Sequence, residues 1–417
     1  MTNENSNSKS AKNIKDCIQE NSVPIIFAVV VLMGIFLTKQ APLTIMNELI
    51  HGFIGNAFLV LALLIPVMAG MGFNFSIGIG AIAGQIGIIM VVNWGLSGFV
   101  GFLAAVAFAT PFAIIFGILT GVVLNKARGY EMIASLFVGY VGNGIYQFVL
   151  LYLTGTVIPI TAGLLLSKGS GLKNSIDLNG HSINGLLQAP FFFLVIVAGL
   201  ILLALSIYRI KKDTINYNKT RIYSSIILSI AAIIISAMIM YMDVLPKEIS
   251  ALKVVKFPLI TGILIGLLAA FNLLITRTKM GQAFLEVGLN QKNSNDSDHH
   301  VSKVRITAIV ISTVLASWGQ IIFLQNTGTL NTYSSHINIV WLAALALIVG
   351  GASINKATVK HALLGIILVQ SFLIITPLWL EKVTPFSFAI FQTIIVNSVF
   401  VYAFAKSKSK KYNSERL

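Results

Sequence analysis

The chain has 417 residues, of which 56% are hydrophobic and only 10% are charged, whereas an ordinary soluble domain carries about 25% charged residues. That balance excludes a soluble globular protein. Apolar stretches of about 20 residues recur along the chain, enough to cross a hydrocarbon core roughly 30 Å thick, and the weak alternating segments of a β-barrel do not appear. The expected fold is an all-α integral membrane protein, a polytopic helical bundle. Its formal charge of +15 invites a nucleic-acid reading, but loop asymmetry in a membrane protein accounts for it.

A polar tail (1–22) comes first, with the chain's single cysteine, Cys17. One thiol permits no disulfide framework within the chain. The first apolar run follows without a small-residue cleavage site and reads as a retained helix. Apolar runs then place twelve candidate spans near 23–38, 54–71, 75–93, 99–124, 131–153, 188–208, 222–242, 257–276, 304–325, 337–352, 361–377 and 387–405. About ten to twelve crossings are expected. The glycines of 75–93 mark it as a broken or re-entrant segment. A basic tail (406–417, in KSKSKKYNSERL) closes the chain and is suited to anionic lipid headgroups.

Charge sets the orientation. With both termini cytoplasmic, the inside segments carry 22 Lys and Arg and the outside segments 7, which is the expected positive-inside bias. The longest outside loop is then 154–187, around GSGLKNSIDLNGHSING, and a cytoplasmic loop spans 277–303.

The span cores contain no Asp, Glu, Lys or Arg; Glu131 and Arg305 sit at span ends and His336 just outside one. A proton-driven carrier needs buried acids or histidines as relays, so this pattern argues against one. No GxxxxGK[ST] phosphate loop, HExxH pair or Ser-His-Asp set occurs, so the reading assigns the chain no catalytic residue, metal ligand or cofactor. Any energy for active transport comes from another subunit.

The polar residues in or near spans are neutral: Asn74, Ser76, Gln85, Ser135, Tyr140, Asn143, Tyr146, Gln147, Gln320, Gln325 and Asn326. Taken singly, each is an ordinary interhelical hydrogen-bonding group. As a set, and above all in YVGNGIYQ, they suit a path for a small neutral polar solute. The path candidates are Asn74, Ser76, Gln85, Asn143, Tyr146, Gln147 and Gln320. Gly80/Gly84, Gly117/Gly121 and Gly262/Gly266 each form GxxxG, which lets helix backbones approach closely.

One segment is out of character. In RTKMGQAFLEVGLNQ (277–291), Met280, Phe284 and Val287 share one face of a helix, while Gln282, Glu286 and Asn290 mark another. Such a helix fits either a membrane surface or a partner protein.

This segment resembles the cytoplasmic stretch RTRFG-x-A-x-x-x-x-G-x-N of ABC importer permeases, in the branch serving simple sugars, nucleosides and branched-chain amino acids. The matching positions are Arg277, Thr278, Lys279, Gly281, Ala283, Val287, Gly288 and Asn290. Three further segments are similar to that family in the same order. GFNFSIGIGAIAGQIGI (72–88) matches an Asn-x-Ser-x-Gly segment. NKARGYEMIASLFVGYVGNGIY (125–146) is nearest to nucleoside-type members. LALIVGGASINKATVKHALLGIIL (345–368) matches a Gly-Gly turn and helix.

The resemblance implies a coupling helix that docks on a cytoplasmic ATP-binding subunit through Lys279, Met280, Gly281, Ala283, Phe284, Glu286, Val287, Gly288 and Asn290. It also implies a second permease subunit and an extracytoplasmic substrate-binding protein, with the plasma membrane as the setting, and the abundance of lysine, asparagine and isoleucine points to a bacterial one. The chain departs from the family after Asn290, where NSNDSDHHVSKVR stands, and in 188–242, which holds two spans more than a ten-helix core needs. The alternatives are a stand-alone sodium-coupled carrier or facilitator, which leaves 277–291 unexplained, and a structural membrane protein without transport.

Overall fold

The computed structural model describes residues 21–38, 41–166, 169–179, 187–212, 219–242, 245–289, 298–354 and 356–380, together with 390, 393–395 and 397–402. Most of both tails, part of the 154–187 loop, and Asn290 with the rest of 290–297 lie outside them.

Among the described residues the chain is almost entirely helical. The principal helices are α1 (Ser22–Leu37), α2 (Pro42–Ala62), α3 (Leu64–Met68), α4 (Ile77–Asn93), α5 (Gly98–Lys126) and α6 (Glu131–Phe148). They continue with α7 (Phe191–Lys212), α8 (Lys219–Tyr241), α9 (Leu259–Ile275), α10 (Lys279–Leu289), α11 (Asp298–Thr327), α12 (Ser335–Val349) and α13 (Val359–Leu380). Two short antiparallel ribbons complete it: β1 (Ser175–Asp177) pairs with β4 (Thr329–Asn331), and β2 (Gln188–Pro190) with β3 (Lys256–Pro258).

Seven helical stretches are long and apolar enough to cross a membrane: Pro42–Met68, Gly98–Lys126, Glu131–Leu153, Phe191–Tyr208, Ile222–Tyr241, His300–Thr327 and Val359–Leu378. α9 and α10 pass the same test together but are bent by 69° at their junction. α1, α4 and α12 are apolar but have only 16, 17 and 15 residues. At about 1.5 Å per residue they fall short of a full hydrocarbon core. The chain is thus a multi-pass, all-α membrane bundle.

It divides into two compact units, the smaller being Lys39–Ile50 with Asn184–Gly262. In the smaller unit α7 and α8 pack on each other: a Cβ on Gly199 would lie 2.7 Å from Ile233 Cγ1, and the Ser206 and Ser225 hydroxyls are 3.3 Å apart. Leu200, Ile201, Ile227 and Leu228 point outward, as a lipid-facing surface does. The pair expected as an insertion therefore lies within this unit.

The larger unit is built on α4, α5 and α11. A Cβ on Gly80 would lie 2.5 Å from the Thr313 carbonyl oxygen, and one on Gly84 2.4 Å from that of Ser317, so α4 and α11 meet backbone to backbone. Gly117 and Gly121 of α5 meet Val310 and Ile306 of α11 in the same way, and Gly87 brings α4 against Ala105 of α5. Two of the three GxxxG pairs thus make the expected close crossings. The third does not: Gly262 faces the ring of Phe257 in its own unit, and Gly266 has nothing within 4 Å of a Cβ. Hydrogen bonds fix the core further, from the Ser312 hydroxyl to the Ala62 carbonyl (2.9 Å) and from Trp318 Nε1 to Thr110 Oγ1 (3.0 Å).

A cleft between two helices and a bent amphipathic helix

α6 and α12 face each other across a small, open cleft. On α6, Leu136, Gly139, Tyr140 and Asn143 recur at three- and four-residue spacing and so share a face. On α12 the lining is His336, Ile337, Val340 and Trp341, and α4 contributes Gly78 with Phe75 just before its first turn. The glycines let the walls close up. A Cβ on Gly78 would stand 2.9 Å from Val340 Cγ2, one on Gly142 3.0 Å from Ile79 Cγ1, and one on Gly139 3.5 Å from the Phe75 carbonyl oxygen.

A polar chain runs along one wall. His336 Nε2 is 2.8 Å from Asn143 Oδ1, and Gln147 Nε2 donates to the same oxygen at 3.1 Å. A carboxamide oxygen only accepts, so His336 donates from Nε2 and its Nδ1 carries the lone pair. That Nδ1 is buried without a partner, as is the hydroxyl of Tyr146. The Tyr146 ring stands edge-on to the imidazole, centroids 5.1 Å apart. The other wall is aromatic: Phe75 and Trp341 line it, and Phe400 packs on both, the three centroids 5.5–6.0 Å apart.

Of the expected path residues, Asn143 alone lines the cleft; Gln147 is tied to it by a hydrogen bond, and Tyr146 packs on His336. Asn74 and Ser76 do not line the cleft. Asn74 Oδ1 accepts from the Ser76 backbone N–H at 3.0 Å and from the Ser76 hydroxyl, while the Phe75 N–H donates to Ser135 Oγ at 3.0 Å. They build the turn that starts α4. Gln85 and Gln320 are sealed in the core, with neither amide atom partnered. Gln320 packs under Gly84, its Cβ 2.9 Å from where a Cβ on that glycine would sit.

Sequence reading placed His336 outside a span and passed over Trp341 and Phe75. The span drawn at 337–352 begins as a helix at Ser335, which brings the histidine inside. A lone imidazole at the edge of an apolar run was the available signal.

At the far end of α4 from the cleft, Thr161 donates from N–H and hydroxyl to Asn93 Oδ1 at 2.8 and 2.9 Å. The Tyr333 hydroxyl donates to the Leu172 carbonyl at 2.7 Å. Burial holds that phenol above its ordinary pKa, and the bond to the carbonyl opposes the shift.

α10 is the amphipathic segment. The Thr278 hydroxyl donates to the Ile275 carbonyl at 2.7 Å and accepts from the Gly281 N–H at 3.2 Å, capping the helix where α9 ends. A Cβ on Gly281 would lie 1.9 Å from the Ile275 carbonyl oxygen, and one on Gly288 2.4 Å from that of Met68. Phe284 and Val287 are buried within the chain itself. This corrects the expectation that they form an outward docking face with Met280. The outward surface is Lys279, Met280, Gln282, Leu285, Glu286 and Leu289, with Ala283 and Gly288 at its margin.

No protein-family model, curated protein or solved structure matches this chain. Its fold defines a class: a polytopic helical membrane protein whose larger unit carries a polar and aromatic cleft and a bent amphipathic helix.

Proposed function

We propose that the chain is the membrane-spanning permease subunit of an ATP-binding-cassette importer in a bacterial plasma membrane. It moves a small neutral polar solute, a nucleoside or simple sugar, toward the cytoplasm. The observation that carries this reading is α10: an 11-residue helix, turned 69° from α9, anchored by Phe284 and Val287 and presenting a mixed face outward. A helix held this firmly on one side and left open on the other suits a partner that pushes on it. The segment's resemblance to the coupling stretch of these permeases supplies that partner, an ATP-hydrolysing subunit.

Packing offers a route from α10 to the cleft. Gly288 rests on Met68 and Gly70 at the end of α3, and Gly72 lies against Met132 of α6 and Ile354 beyond α12. α6 carries Asn143 and Tyr140, so rocking α10 would shift a cleft wall. ATP acts only if it binds two arrangements of these helices with different affinity. With α10 cytoplasmic, as the charge count requires, the cleft lies between a binding protein outside and the ATPases inside, and a second permease subunit completes the path.

The test is purification of the tagged chain from its native membrane in mild detergent, followed by uptake assays in vesicles. An ATPase with a GxxxxGK[ST] loop recovered in about equal amount, and uptake that needs ATP, uphold the reading. Uptake by the chain alone without ATP overturns it in favour of a stand-alone carrier.

A further inference from the structure

Two polar atoms beside the cleft have no partner: Nδ1 of His336, which lines it, and the hydroxyl oxygen of Tyr146, whose ring packs on that imidazole. His336 is 2% exposed and Tyr146 4%, so bulk water reaches neither. Buried polar atoms are nearly always paired, because leaving one unmade is costly. Here they occur side by side, on two rings that meet edge-on. Tyr146 lies one turn of α6 beyond Asn143, on the same side of the helix as that cleft residue. The His336 tautomer is fixed from the other direction, since Asn143 Oδ1 holds Nε2–H. The imidazole therefore offers an acceptor, and the phenol offers a donor as well as an acceptor.

The geometry points to His336 Nδ1 and the Tyr146 hydroxyl as the pair that reads the solute, which must bring a neutral hydrogen-bond donor with an acceptor on or beside it. This rests on the cleft being the solute site. A hydroxyl, or an N–H next to a carbonyl, satisfies both atoms. An anion fails, because it meets the Nδ1 lone pair with nothing to donate, and no cationic side chain lines the cleft. Asn143 and Gln147 act behind this pair as positioning residues. They hold the ring so that the lone pair stays on Nδ1.

The experiment is calorimetric binding of uridine and of D-ribose to the full chain in lipid nanodiscs, with His336→Gln, His336→Asn and Tyr146→Phe. Glutamine reaches the Nε2 position and keeps the bond to Asn143 but abandons Nδ1; asparagine does the reverse. Affinity about tenfold weaker in His336→Gln and in Tyr146→Phe, with His336→Asn closer to the parent chain, supports the assignment. Binding by the parent that both His336→Gln and Tyr146→Phe retain in full overturns the assignment and leaves the cleft reading standing. No binding of either probe by the parent overturns both.

Should a variant fail to fold, the ligand is changed instead: 3-methyluridine and 2′,3′-dideoxyuridine for uridine, 2-deoxy-D-ribose for D-ribose. 3-Methyluridine lacks the ring N–H, 2-deoxy-D-ribose lacks one hydroxyl and 2′,3′-dideoxyuridine lacks two. If the parent binds every donor-deleted compound as tightly as its counterpart, no donor is read and the assignment falls.

Discussion

Arg305 of α11 is ion-paired with Glu131 in the first turn of α6, and both side chains are nearly buried, at 7% and 11% exposure. The acid also sits where the positive end of the α6 dipole favours it. The pair ties the core to the helix that carries the cleft wall. Breaking one half leaves an uncompensated buried charge, which costs about 3–5 kcal/mol, whereas replacing both with apolar residues of similar volume is far milder. Glu131→Gln and Arg305→Met should each lower the thermal midpoint of the purified chain markedly, and the Glu131→Leu/Arg305→Met pair should recover most of the loss. Equal losses in single and double variants would show that the pairing itself contributes nothing.

Phe284 and Leu285 are neighbours on α10 with opposite fates. Phe284 is 1% exposed and Leu285 37%. Truncating a buried phenylalanine costs about 3–5 kcal/mol, so Phe284→Ala should reduce folded yield and thermal midpoint. Leu285→Asp should leave the midpoint close to that of the parent chain while abolishing ATP-dependent uptake. Normal uptake by Leu285→Asp would remove the outward face of α10 from the coupling role.

The same contrast shows what was legible in the sequence. The helical bundle could be read from apolar run lengths, and the close crossings at Gly80/Gly84 and Gly117/Gly121 from spacing alone. For α10, periodicity gave the apolar face but not its direction. An apolar stripe at helical spacing looks the same whether it packs against its own bundle or a partner, and only the fold shows Phe284 turned inward. The cleft was partly legible, through Asn143 and the Gln147 and Tyr146 side chains that support its polar wall. Its other wall was not, because Trp341 and Phe75 look like any aromatic in an apolar run, and His336 became a cleft residue only through pairing across nearly two hundred residues of sequence. Asn74 and Ser76 were polar for a local reason, a turn, and composition does not separate that from a path.

Glycines divide into those that hold the bundle and those that do not. Gly84→Ala puts a methyl 2.4 Å from the Ser317 carbonyl oxygen, and Gly266→Ala puts one in open space. The first should force α4 and α11 apart and lower the thermal midpoint by several degrees. The second relieves a mid-helix glycine and should stabilise by about 0.5–1 kcal/mol, because the unfolded chain loses freedom it no longer needs. Thermal unfolding of both variants beside the parent decides it; a Gly84→Ala chain as stable as the parent would mean the crossing is looser than drawn.

The cleft makes the last prediction. Asn143 Oδ1 is the shared acceptor for His336 and Gln147, so Asn143→Ala strands the buried imidazole N–H and leaves the half-buried Gln147 amide without that acceptor. A stranded buried donor costs about 1–3 kcal/mol, and the imidazole loses the bond that orients it. Solute uptake should fall to background, with a moderate drop in thermal midpoint. Tyr140 lines the same cleft from α6 but is 61% exposed. Tyr140→Phe keeps its ring and removes only an exposed hydroxyl, so uptake should stay within about twofold of the parent, a change of well under 1 kcal/mol. Uptake assays of the two variants at matched expression separate a cleft that works through the Asn143–His336 bond from one that works through shape. If Asn143→Ala transports normally, the polar wall is structural and the aromatic wall alone must do the selecting.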